Sequence, residues 1–77
     1  MPLQPFNFSF YGDLYRFYLD FTDPKQPVLC EIEMFVDGRT SYQALSWSEL
    51  PSEVAQVFRE TYPTCDIGNT KISIGTT

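Results

Sequence analysis

Between residues 6 and 21 the chain reads FNFSFYGDLYRFYLDF, and this stretch decides the fold. Most of the aromatic residues of the protein fall here, and they alternate with polar residues. Alternation with a period of two is typical of a β-strand with one buried face. Gly12-Asp13 interrupts the pattern, and a glycine at the first position of a two-residue turn favours a β-hairpin. The stretch therefore predicts antiparallel strands over residues 6–11 and 14–21.

The turn at Gly12-Asp13 sets the predicted register of this hairpin. It pairs aromatic and aliphatic residues across one face, which we expect to be the core face: Phe6, Phe8, Phe10, Tyr15, Phe17, Leu19 and Phe21. The other face pairs Ser9 with Arg16 and Asn7 with Tyr18. Tyr11, Leu14 and Tyr18 form an outer aromatic and aliphatic row. A shift of the pairing by one residue would place polar and apolar residues on the same face, so the pattern favours a register that keeps them apart.

A third strand is predicted over residues 28–36. Its alternation places Val28, Cys30, Ile32, Met34 and Val36 inward, and it places Leu29, Glu31, Glu33 and Phe35 outward. A two-residue turn at Asp37-Gly38 would set Met34 opposite Ser41. A three-residue turn with left-handed Gly38 and a bulge would set Met34 opposite Thr40 and Cys30 opposite Ala44. We favour the second, which pairs apolar with apolar residues and predicts a fourth strand over residues 40–45.

The region 50–63 carries the helical signal. Its apolar stripe has helical spacing and comprises Leu50, Val54, Val57, Phe58 and Tyr62. Pro51 suits the first turn, Ser48 is a candidate cap, and Pro63 ends the helix. Residues 71–75 then predict a short final strand with Ile72 and Ile74 inward.

These elements predict one α+β domain over residues 1–77. Its order is β-β-β-β-α-β, an antiparallel meander of four to five strands, strongly twisted, with one amphipathic helix packed on one face. A helix of this length covers about two to three strands, which is less than the apolar face offers. We expect strong curvature of the sheet to reconcile the two, the alternative being cover by a partner or a second copy in a homodimer.

Composition restricts the class of function. The net charge of −5, with ten acidic and five basic residues, opposes binding to nucleic-acid backbones or anionic membranes. No leader and no membrane-spanning stretch is recognised, which favours a cytoplasmic protein. The two cysteines, Cys30 and Cys65, are expected to be reduced, with Cys30 in the core.

Catalysis and metal binding are not predicted. The chain has no histidine, so the commonest general base and the Ser-His and Cys-His pairs are missing. Glu31 and Glu33 lie on one face of a strand, but an outward carboxylate pair is typical of a solvated surface. No Cys/His cluster or calcium-loop spacing is present. We predict no enzyme activity, no cofactor and no metal.

Protein recognition fits the predicted outer face better. Aromatic residues among small polar groups are typical of the centre of an interface, and acidic residues favour a partner with a basic surface. The predicted partner-binding residues are Tyr11, Tyr18, Asp20, Glu31, Glu33, Phe35 and Trp47, with Leu14, Leu29 and Leu45 as further apolar anchors. The alternative is a single-stranded nucleic-acid binder that stacks bases on these aromatics.

The helical segment Leu50-Pro51-x-x-Val54-x-x-x-Phe58-x-x-x-Tyr62-Pro63 resembles the helix of PepSY-like domains. That resemblance implies an accessory domain in which the helix packs on an antiparallel sheet. In size, acidity and layout the chain also looks like small phage inhibitor proteins of the anti-CRISPR kind. This similarity implies a non-catalytic inhibitor or adaptor that occupies a basic surface of its partner.

Overall fold

The computed structural model describes residues 3–36 and 42–67. Four strands form one antiparallel sheet in the order β1-β2-β3-β4, and a helix follows them. The elements are β1 (Gln4–Phe10), β2 (Asp13–Asp20), β3 (Val28–Val36), β4 (Tyr42–Leu45) and α1 (Ser52–Thr61), with a 3₁₀ turn at Trp47–Glu49 before α1. The α+β meander with one helix is confirmed. The predicted final strand at 71–75 lies outside the described residues.

The β1–β2 turn lies one residue earlier than predicted. Tyr11 and Gly12 form it, with φ of 50° and 84°, and Phe10 is paired with Asp13. Two positive φ values define a type I′ turn, whose twist matches that of the strands. The pairing therefore shifts by two residues, so that Phe8 lies opposite Tyr15. Because the shift is even, both faces keep their predicted residues except Tyr11, which moves from the outer row into the turn.

The core lies between the sheet and α1. Phe17 and Phe58 are fully buried and stack with ring centroids 4.5 Å apart. Phe6 contacts Phe58 and Tyr62 edge-on, at 6.0 and 5.5 Å. Burying a side chain of this size contributes about 1.5–3 kcal/mol. The buried residues that complete this cluster are Tyr15, Leu19, Leu29, Ile32, Leu45, Val54 and Cys65. The predicted core face of the hairpin belongs to this cluster or packs against it, and so do four residues of the predicted helix stripe: Leu50, Val54, Phe58 and Tyr62.

A β-bulge in β3 overturns the predicted faces of its first half. Tyr18 pairs with Glu31, but Leu19 pairs with Leu29, so Cys30 is the extra residue. The bulge reverses the alternation, and Leu29 is 0% exposed in the core while Cys30 is only partly buried. The prediction of an outward Leu29 and a core Cys30 is therefore wrong. Cys65 is the core cysteine, and both thiols are free.

The register of β4 differs from both predicted turns. Ile32 lies opposite Leu45 and Glu33 opposite Ala44. Relative to the favoured three-residue turn the shift is odd, so the faces of β4 are exchanged. Leu45 is buried in the core and Ala44 is exposed, which removes Leu45 from the outer anchors. The predicted turn residues Asp37 and Gly38 and the first two residues of the predicted fourth strand lie outside the described residues.

Hydrogen bonds stabilise the 3₁₀ turn before α1 and the end of α1. In the turn, Glu49 Oε1 accepts from the backbone N–H of Ser46 at 2.8 Å, and Ser48 lies inside this turn instead of capping α1, whose N-cap is Pro51. At the end, the Arg59 guanidinium donates to the carbonyls of Tyr62, Pro63 and Cys65 at 3.3, 3.2 and 2.9 Å. A cation there complements the negative end of the helix dipole.

The segment after α1 returns to the edge of β3. The backbone N–H of Leu29 donates to the carbonyl of Asp66, and the N–H of Asp66 donates to the carbonyl of Pro27, both at 2.9 Å. This parallel bridge extends the β3 edge beside the bulge, beyond the part that pairs with β4. In the described part of the chain, no helix is long and apolar enough to cross a membrane.

Candidate functional site

The sheet surface opposite α1, called the outer face below, is the candidate site. The register places three rows of residues across it, which run from β1 through β2 to β3: Ser9, Leu14 and Phe35; Asn7, Arg16 and Glu33; and Pro5, Tyr18 and Glu31. The core cluster occupies the other side of the sheet. Of the predicted binding residues, the structure brings Tyr18, Glu31, Glu33 and Phe35 together here.

Arg16 lies at the centre of the outer face. Its Nε donates to Oδ1 of Asn7 at 2.9 Å, and its guanidinium carbon lies 4.9 Å from the centroid of the Phe35 ring. The first contact spans β1 and β2, and the second spans β2 and β3. A cation over an aromatic face is worth about 0.5–1 kcal/mol at an exposed site. Through these two contacts, the guanidinium of Arg16 on β2 connects β1 with β3.

Glu33 is a buried carboxylate beside Arg16. The residue is only 8% exposed, and its Oε1 accepts a hydrogen bond of 2.8 Å from the Tyr18 hydroxyl. Burying a carboxylate is costly unless it is hydrogen-bonded, so the Tyr18 hydroxyl offsets part of that cost. The hydrogen bond also orients the Tyr18 ring over β3. Glu33 therefore positions Tyr18, and little of its own carboxylate is open to a partner.

Glu31 is the exposed member of the carboxylate pair. It lies opposite Tyr18, two residues before Glu33 on the same strand face. Partial desolvation, followed by the nearby Glu33 carboxylate, raises the pKa of Glu31. A raised pKa reflects a carboxylate whose negative charge is poorly compensated. Glu31 is thus the acidic group of the outer face that a cationic partner group can reach.

Asp20 and Cys30 lie at the bulge end of the outer face. Asp20 Oδ1 accepts from the N–H and the hydroxyl of Thr22 at 2.8 and 2.6 Å, and these bonds lower the pKa of Asp20. The Cys30 thiol faces the carbonyl of Val28 at 3.7 Å. Burial, and then the charge of Asp20, raise the pKa of Cys30. Both effects favour the protonated thiol, which is less reactive than the thiolate.

Tyr11 and Trp47 lie away from the outer face. Tyr11 is 91% exposed at the hairpin tip, where its ring contacts Phe10 at 4.5 Å. Trp47 packs on the core side of the sheet, with its ring 5.5 Å from Phe58 and the Arg59 guanidinium 5.7 Å away. The prediction that Trp47 belongs to the outer aromatic set is wrong. Leu45 is buried in the core, and Trp47, two residues further on, is partly buried and packs against the core cluster.

The contact between Asn7 and Arg16 escaped the sequence prediction. The predicted turn set Arg16 opposite Ser9, two positions away. A usable signal was present, because a glycine at the second turn position is typical of a type I′ turn, as in Asn-Gly. Assigning Tyr11-Gly12 as the turn would have placed Asn7 opposite Arg16. The Tyr18–Glu33 hydrogen bond joins two strands and had no local signal.

The outer face combines charged, polar and apolar side chains. Within residues 3–36 and 42–67, no group of three or more His, Cys, Asp or Glu side chains could hold a metal ion. The three rows of the outer face present one cation, one buried and one exposed carboxylate, and partly buried apolar side chains, and Asp20 adds a carboxylate at the bulge end. The fold and this face define a small α+β domain whose meander sheet carries its helix on one side. Comparison of the chain with protein-family models, curated proteins and solved structures found no match.

Proposed function

We propose that the protein is a small non-catalytic binding module that attaches to a basic surface of a partner protein through its outer face. The supporting observation is the pair of Leu14 and Phe35, adjacent in register on β2 and β3, with Tyr18 and the exposed Glu31 two rows away on the same face. Aromatic and aliphatic groups bordered by charge are typical of the centre of a protein interface. Within this class, an inhibitor or adaptor of phage or bacterial origin would act by occupying that surface.

Charge supports a basic partner. The chain has a net charge of −5, and a negative protein associates faster with a positive one. Glu31 and Asp20 supply negative charge at one end of the outer face. The positive charge of Arg16 is engaged by Phe35 and Asn7. The side of the outer face near Glu31 is therefore the part that a lysine or arginine of the partner would contact.

The nucleic-acid alternative has less support. Phe35 could stack a base, but Arg16 already lies over its ring. Among the described residues, Arg16 is the only cation in the three rows of the outer face. Nucleic-acid binding draws much of its affinity from phosphate contacts by several cations. An oligonucleotide titration at low salt tests this alternative directly, and binding with a steep salt dependence would favour it over the protein partner.

Quantitative affinity capture from the source organism tests the proposal with matched variants. Phe35→Ala removes an apolar group from the outer face, and Glu31→Lys reverses its exposed charge. Glu60→Lys makes the same change in net charge on exposed α1, away from the sheet. We expect a basic protein whose recovery falls at least about tenfold with the first two variants and is kept with Glu60→Lys, because a lost interface anchor costs more than 1 kcal/mol.

Two results would contradict the proposed function. One is that no captured protein depends on the two outer-face variants. The other is that Glu60→Lys reduces recovery as much as Glu31→Lys does, which would indicate attraction by net charge alone. Circular dichroism of each variant confirms that the sheet and helix persist, so that lost binding cannot be ascribed to unfolding.

A further inference from the structure

We infer that a second copy of this chain pairs edge to edge with β1, in an antiparallel and symmetric manner, to form a continuous sheet across a homodimer. β1 is the first strand of the sheet, and among the described residues it pairs only with β2. Its sequence, QPFNFSF, contains no charged residue. Natural edge strands usually avoid self-association by charged side chains, so an uncharged edge of seven residues is adapted to pairing.

The hairpin turn identifies which backbone groups point to the free edge. In a two-residue turn the flanking residues, here Phe10 and Asp13, exchange hydrogen bonds. Hydrogen-bonded and non-hydrogen-bonded pairs then alternate along an antiparallel ladder. Ser9, Asn7 and Pro5 consequently lie in non-hydrogen-bonded pairs with β2, and their backbone groups face away from it. Pro5 is tolerated inside β1 because its missing N–H falls on the free side.

Only one symmetric register pairs both the N–H and the C=O groups of Asn7 and of Ser9, because the register with Asn7 on the two-fold axis sets Ser9 opposite Pro5, which has no N–H to donate. If Asn7 of one copy lies opposite Ser9 of the other, both residues exchange hydrogen bonds with the second copy. Phe8 then lies opposite Phe8 of the second copy on the two-fold axis, and Phe6 lies opposite Phe10. A two-fold axis through one self-paired residue is what a symmetric dimer requires. No like charges meet in this register, despite the net charge of −5 on each chain.

The side chains on the core side of the sheet also favour this register. Phe6, Phe8 and Phe10 are partly buried at the margin of the core. The Phe6 ring reaches α1 through Phe58 and Tyr62, whereas the Phe8 ring stacks on Phe10 and the Phe10 ring contacts Tyr11 at the hairpin tip. Pairing of two β1 strands would place six phenyl rings in one layer. The helix covers one end of that row, and the second copy would cover the rest.

Molar mass in solution, measured by light scattering over a concentration series, tests the inference. We expect the mass to rise from the 8.9 kDa of the chain towards twice that value. Ser9→Pro removes the N–H that faces the second copy, and a proline is tolerated at this position for the same reason as Pro5, because the N–H there makes no bond to β2. The variant should weaken the dimer at least about tenfold by removing two symmetric hydrogen bonds. Ser9→Thr keeps that N–H and is the matched control.

A nuclear Overhauser experiment on mixed labelled and unlabelled chains checks the register independently of any variant. Phe6 and Phe10 lie about 13 Å apart along one extended strand, so a cross-peak between them can arise only between copies. A monomer at about millimolar concentration would overturn the inference. A dimer that Ser9→Pro leaves intact, or one without this cross-peak, would also overturn it. None of these outcomes depends on the partner protein of the proposed function.

Discussion

The bulge at Cys30 leads to a prediction that opposes the sequence pattern. Strict alternation along β3 makes Cys30 a core residue and Leu29 a surface residue. In the structure Leu29 is 0% exposed and belongs to the core cluster, whereas Cys30 lies outside that cluster. Replacing each residue by alanine in turn therefore distinguishes the two arrangements within one pair of adjacent positions.

The expected magnitudes differ several-fold. Leu29→Ala removes buried methyl groups and leaves a cavity, which costs about 2–5 kcal/mol. A chain of this length has a total stability of about 4–12 kcal/mol, so the loss is a large fraction of it. The melting temperature should fall by about 10–40 °C, since each kcal/mol shifts it by about 4–8 °C at this size. Cys30→Ala should cost less than about 1 kcal/mol, because it removes one partly exposed sulfur.

Guanidinium unfolding followed by far-ultraviolet circular dichroism measures both values. The slope of the free energy against denaturant concentration should be unchanged between variants, which shows that stability and not compactness has changed. If Leu29→Ala is too unstable to measure, Leu29→Met keeps the side-chain volume and should cost less than about 1.5 kcal/mol. A larger loss for Cys30→Ala than for Leu29→Ala would refute the bulge and restore simple alternation.

Two further predictions concern pH and the hairpin turn. Folding raises the pKa of Glu31, so this side chain stabilises the folded protein below its unfolded pKa and loses that contribution to the free energy of unfolding as pH rises through its folded pKa. Glu31→Gln should therefore be as stable as the wild type in acid and should melt at a higher temperature at neutral pH. Melting curves from about pH 3 to 7 measure this, with Glu60→Gln as the control, and a variant less stable than wild type at neutral pH would contradict it. Tyr11→Asn should raise stability by about 0.5–1 kcal/mol, because asparagine adopts the left-handed φ of 50° more readily. Gly12→Ala should lower it by about 1 kcal/mol through backbone strain alone, since an added Cβ at this φ of 84° meets no atom within 4 Å; thermal melts that reverse these two signs would contradict the type I′ turn.

The candidate site was predictable in part. Tyr18, Glu31, Glu33 and Phe35 were assigned to the outer face from alternation alone, and the structure places them there. Their division of roles was not predictable. Glu33 is buried under the Tyr18 hydroxyl while Glu31 stays exposed, and this difference depends on how side chains from two strands pack. The pattern also placed Arg16 on this face, but its contacts with Asn7 and Phe35 depend on the register.

The sequence by itself determined which residues of the hairpin and of α1 face the core. Both periodicities are local, and an even slip such as the one at Tyr11-Gly12 leaves the faces of a strand unchanged. The tertiary structure alone decided the sides on which Leu29, Leu45 and Trp47 lie. A bulge or an odd shift costs little locally, so it is selected by burial of Leu29 and Leu45 against distant residues of the core. Alternation along one strand contains no information about the free energy gained by burying these two side chains against residues that are distant in the sequence.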